Sequence, residues 1–184
     1  MQQFVAEIGV ILRAEIFSIM RGLKMFIKSK KPFGEIKKKN LKQLKDYCVW
    51  LLARKNYSEF ELRGKLKKYA ENQSDIDTVI EQMLEYKYID DSTYALSLFR
   101  SEVQKGHGLM RLKQSFQSKG VDIATVQAAV DDVNWFQAAY DLKVKKFGIA
   151  IASDEKQKAK QIRFLQYRGF SLDVVLKVIK YIPE

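Results

Sequence analysis

The chain's two prolines are Pro32 and Pro183, so residues 33–182 contain none. Proline breaks helix interiors and punctuates the turns of many-stranded folds. A stretch of that length without it favours an all-helical chain. The apolar residues agree. Leu41, Leu44, Cys48, Leu51 and Leu52 recur at spacings of three and four. So do Leu62, Leu66 and Tyr69, and then Ile76, Val79, Ile80, Met83 and Leu84. This is the period of one buried helix face, and strand-like alternation is scarce.

The pattern predicts helices over 41–55, 58–69 and 75–87, and then the same triplet twice more. The second set covers 94–105, 108–120 and 122–133; the third covers 135–147, 155–170 and 171–182. Aligning Lys119-Gly120 with Arg168-Gly169 places Phe116 on Leu165, Val126 on Val175 and Val130 on Ile179, with Leu66, Val79 and Met83 as the first copy. Gly120 and Gly169 suit left-handed helix ends. A period of about 50 residues indicates three tandem three-helix units stacked on one another. The units are 41–90, 91–134 and 135–184, preceded by a basic extension, 1–40. Ser58 with Glu61 reads as a capping box, and Asp75 as the cap of the third helix.

Paired carboxylates at Asp90-Asp91 raise the question of metal or acid–base chemistry. Both precede an apolar run at the junction of the first two units, where either can cap a helix and suit its positive end. Further ligands are missing: His107 is the sole histidine, Cys48 the sole cysteine, and no HExxH, EF-hand or P-loop spacing occurs. His107, between two glycines, reads as a solvated loop residue, and Cys48 as a small core residue. Trp50 and Trp135 each lie in the first helix of their unit and read as packing residues. Nothing assembles a nucleophile, a base and an oxyanion site. The expectation is a non-enzyme without metal or cofactor.

Charge points outward instead. Lys and Arg number 33 against 22 Asp and Glu, a net +11 with a pI near 9.6, which favours polyanions or acidic surfaces. One cysteine permits no intrachain disulfide and fits a reducing cytosol. No apolar run approaches a membrane span, and the charged N-terminus is a poor secretory signal. A soluble, cytoplasmic protein is expected.

Arg54, Ser58, Glu61, Leu62, Arg63, Lys65 and Leu66 form R-x-x-x-S-x-x-E-L-R-x-K-L. Y-I-D-D-x-x-Y-A follows at Tyr88–Ala95, then Lys105-Gly106, Arg111–Lys113, Lys119–Val121 and Arg168–Phe170. In this order and spacing the chain, over about 41–182, resembles the bacterial RecX regulatory proteins. The resemblance implies a curved, elongated all-α array of three-helix repeats. It also implies a non-enzymatic modulator that binds the groove of the RecA–single-stranded DNA filament and suppresses RecA activities in recombination and the SOS response. The expected partner is the RecA filament, single-stranded DNA is a candidate direct contact, and the expected state is monomeric.

The second helix of each unit carries the bases such a target needs. Arg63, Lys65 and Lys67, then Arg111, Lys113 and Lys119, then Lys160, Arg163 and Arg168 form a candidate stripe along the array. The bland reading is solvated helix surface. A basic repeat module that binds nucleic acid without RecA is the competing function. The extension departs from the family: Val5, Ile8, Leu12, Ile16, Ile19, Leu23 and Ile27 keep helical spacing. Packing on the repeats or on a second chain, a membrane-surface helix, and translation from an upstream start are its three readings, with Met20 or Met25 initiating in the last.

Overall fold

Five of the helices start after a side chain that accepts from a first-turn amide. The computed structural model describes residues 38–182, so the readings of the extension before Lys38 fall outside the described residues. Asn40 caps α1 (Leu41–Leu52) in a reciprocal box with Gln43. Ser58 caps α2 (Glu59–Leu66), its Oγ accepting from the Glu61 amide at 3.2 Å. Half of the expected box is present; the Glu61 carboxylate is turned to other partners. α3 (Gln73–Glu85) starts after Asn72, two residues earlier than expected, so Asp75 lies in the first turn rather than at the cap. There its charge still suits the helix end.

The paired aspartates divide their labour. Asp90 caps α4 (Asp91–Gln104), accepting from Ser92 and Thr93 amides at 2.9 and 3.0 Å. Asp91 reaches back to the preceding unit, where its Oδ1 accepts from the Glu59 amide at 3.0 Å. Among the described residues no group of acidic, His or Cys side chains is arranged to hold a metal.

α5 (Leu109–Lys119) ends at Gly120 in the left-handed region (φ 64°). The expected helix over 122–133 is instead a 3-10 turn, Ile123–Val126, followed by the short α6 (Gln127–Asp131). The cause is local. The Asp122 carboxylate accepts from the Ala124 amide, and the Thr125 hydroxyl donates to the Asp122 carbonyl, so side chains compete with helical hydrogen bonds. α7 (Trp135–Phe147), α8 (Glu155–Tyr167) and α9 (Leu172–Lys180) complete nine α-helices among the described residues. Apart from an isolated Lys39–Ala70 bridge, these residues show no β-pairing.

The predicted stripes become three cores. Leu44, Cys48, Leu62, Leu66, Val79, Ile80 and Met83 anchor the first; Ala95, Leu112, Phe116, Val126 and Val130 the second; Ala139, Leu165, Val175, Val178 and Ile179 the third. All nine residues aligned between the repeats are buried. Burial pushes the Cys48 thiol up to about 11, as befits a core residue. Trp50 packs on the first core, and Trp135 on both the second and the third.

Candidate functional site: the basic helices

α2, α5 and α8 are chained end to end. The N-terminus of each docks on the C-terminus of the next, where orphan carbonyls need donors. At the first junction the Ser58 hydroxyl donates to the Lys119 carbonyl at 2.6 Å, and Lys119 Nζ donates to Glu61 Oε1 at 2.6 Å. Tyr94 donates its hydroxyl to the other Glu61 oxygen at 2.8 Å. Burial alone would raise the Glu61 carboxyl; the Lys119 and Tyr94 hydrogen bonds outweigh it and hold the group below its ordinary range. Phe60 covers Gly120 so closely that a Cβ there would fall 2.3 Å from its ring.

At the second junction backbone replaces side chain. The Gly108 and Met110 amides donate to the Arg168 and Gly169 carbonyls at 2.8 and 2.9 Å. Arg168 Nη1 donates to the Lys105 carbonyl at 3.1 Å, and Arg111 Nη1 to the Tyr167 carbonyl at 3.2 Å. Gly169 holds φ 90°, and a Cβ on it would meet Arg111 backbone at 2.5 Å. The C-terminus of α2 is met in the same way from upstream: the Lys39 amide donates to the Tyr69 carbonyl, and Lys38 Nζ to that of Ala70.

These junctions sort the nine candidate bases. Arg63 is tied to Glu59 and Asp77 within its own unit. Lys65 is half-buried, with its ammonium 5.2 Å from the Tyr57 ring centre. Lys119, Arg111 and Arg168 hold the junctions. Lys67, Lys113, Lys160 and Arg163 are exposed and form no ion pair among the described residues, so at least one such cation stands on the second helix of every unit or, for Lys67, at its C-cap. Around Lys113, Lys160 and Arg163 the sequence favours anions: residues 103–121 and 156–172 contain no Asp or Glu.

Three groups lay beyond the sequence reading. Glu102 is buried on the apolar face of α4, where its carboxylate accepts from Lys105 Nζ (2.9 Å) and Ser115 Oγ (2.9 Å) and pairs with His107 Nδ1 (2.7 Å). His107 is therefore no solvated loop residue: its side chain is 14% exposed and is held by a carboxylate from the preceding helix. Burial would raise Glu102, but these three hydrogen bonds carry it down to about 2. The only advance sign was a carboxylate in register with Ala95 and Phe99, followed closely by Lys105 and His107. Lys143 is fully buried and donates to the Ile149 and Ala150 carbonyls at 2.8 and 3.0 Å, which ties the loop between α7 and α8 to the third unit. Burial lowers its ammonium pKa. The third is Tyr167, an exposed aromatic next to Arg168.

Family models described as the first and third three-helix domains of RecX match residues 45–83 and 132–179. A "Regulatory protein RecX" of Acinetobacter baylyi is 41% identical over 142 residues, covering 77% of this chain and 89% of the relative. One of Vibrio vulnificus is 39% identical over 133 residues, covering 71% and 87%. The crystal structure of RecX from Lactobacillus salivarius superposes with a TM-score of 0.63 at 18% identity, covering 76% of this chain and 94% of that one, a likeness of fold.

Proposed function

Because the chain belongs to the RecX family of regulatory proteins, we propose that it regulates the recombinase RecA by binding in the groove of the RecA–single-stranded DNA filament and inhibiting it. The observation that carries this reading is the identity to curated regulatory relatives across most of the chain. The exposed cations support it physically. A filament presents phosphates and protein acids at a repeating interval, and an array of like units offers Lys67, Lys113, and Lys160 with Arg163 to successive repeats. The internal polar groups serve structure: Glu102, His107, Glu61 and Lys119 satisfy one another or the chain's own backbone. Action is by occupancy rather than by catalysis, in the cytoplasm, by a monomer.

The test is RecA ATPase activity on single-stranded DNA, with DNA in excess. Inhibition that tracks the molar ratio of this chain to RecA supports filament regulation. Inhibition relieved by further DNA would mean that the chain sequesters nucleic acid without engaging RecA.

A further inference from the structure

The first junction holds with a carboxylate, Glu61, and a serine, Ser118, at the positions where the second has Arg111 and Tyr167. The docking geometry therefore requires neither a guanidinium nor an aromatic ring there. Yet at the second junction Tyr167 is 74% exposed, the largest exposure of any large hydrophobic side chain among the described residues. The Arg111 guanidinium sits 5.3 Å from its ring centre. The pair is held from both sides: Arg111 Nη1 donates to the Tyr167 carbonyl, and the Met110 amide beside it donates to the Gly169 carbonyl. The guanidinium serves the junction through the Tyr167 carbonyl, but the ring beside it stands open to solvent with no structural duty of its own.

α8 leads to it. Lys156, Lys160, Arg163 and Tyr167 are all exposed. At 100° per residue their directions fall within an arc of roughly 60°, and the column is about 16 Å long. No acid interrupts it, since none occurs from 156 to 172, and none occurs from 103 to 121 on the α5 side. Three cations in a row ending at a cation-backed ring ask for a ligand with successive anionic groups beside a flat π-face. An acidic protein surface would use the lysines and leave the ring idle. A duplex offers phosphates but hides its base faces. A single strand supplies both, because unpaired bases stack on aromatic side chains while the backbone follows basic residues.

We propose that Tyr167 and Arg111 form a stacking site for one unpaired nucleobase, and that Lys156, Lys160 and Arg163 guide the phosphates of the same strand to it. This refines the surface on which the filament reading rests, by assigning it a direct contact with the strand. The experiment uses the full chain without RecA, and measures by fluorescence anisotropy its binding to a labelled oligothymidylate and to an abasic strand of equal length. The wild type should prefer the base-bearing strand by roughly fivefold or more. Tyr167→Phe should keep that preference. Tyr167→Ala should bring it to about one with abasic affinity unchanged, whereas Arg163→Ala should weaken both strands alike. Equal wild-type affinity for the two strands, no binding to either, or a preference that survives Tyr167→Ala would overturn the site. Circular dichroism confirms that each variant is folded. The RecA ATPase assay separates the two readings: a wild type that never inhibits RecA defeats the functional proposal alone, while a failed base preference defeats only the stacking site.

Discussion

Glu102 shows how far a single residue can depart from its sequence neighbourhood. Its carboxylate titrates lower in the folded chain than the ordinary 4.5, at about 2. Its contribution to stability is therefore complete above about pH 4.5 and is lost as pH falls toward about 2. Glu102→Gln should be less stable than wild type at neutral pH, and the two melting curves should converge on acidification; parallel curves across that range would refute the assignment. His107→Ala removes a hydrogen bond to a charged, buried partner and should cost about 1–3 kcal/mol in urea unfolding. Inhibition of RecA should persist wherever the variant is folded. The flanking Gly106 and Gly108 made His107 read as an open loop, because its partner is Glu102 of the preceding helix, a carboxylate that Ser115 of the next helix also holds. Asp90 and Asp91 were legible as helix-end acids, since a cap is a local property; that Asp91 serves α2, 32 residues upstream, is not local. Asp90→Ala and Asp91→Ala should each lower the melting temperature, and chelator should shift neither.

At the scale of elements, periodicity carried most of the information. The three cores form along the predicted stripes because a 3.6-residue period alone determines which face is apolar. It failed at 122–133, where Asp122 and Thr125 bond locally and turn the expected helix into a 3-10 turn and a short α6. The end-to-end docking of α2, α5 and α8 left two marks in the sequence, Gly120 and Gly169. Both read as helix ends, and both are also sites of close approach by the neighbouring unit. Gly169→Ala combines a left-handed backbone with a clash against Arg111, so it should destabilise by more than about 1 kcal/mol. Ser58→Ala loses the α2 cap and the bond to the Lys119 carbonyl together, about 1–2 kcal/mol. Calorimetry on each variant is the check, and wild-type stability in either would contradict the docking role.

Over the whole molecule the net charge of +11 favours an anionic target but does not say which bases would face one. Ion pairs such as Lys119–Glu61, 58 residues apart, are invisible to local pattern. Among the described residues, one or more exposed cations without an ion pair stand on the second helix of each unit or at its C-cap, and it is their sum that the account depends on. Exposed charge contacts are individually worth under about 1 kcal/mol and are screened by salt. Lys113→Ala alone should therefore change filament binding little. The most direct measurement is the affinity of the chain for RecA–single-stranded DNA filaments across a salt series, comparing wild type with the combined Lys67→Ala, Lys113→Ala and Arg163→Ala variant. The account predicts a folded variant that binds severalfold or more weakly, with a flatter dependence on salt. A folded variant that matches wild type in affinity and slope at every salt concentration would contradict it.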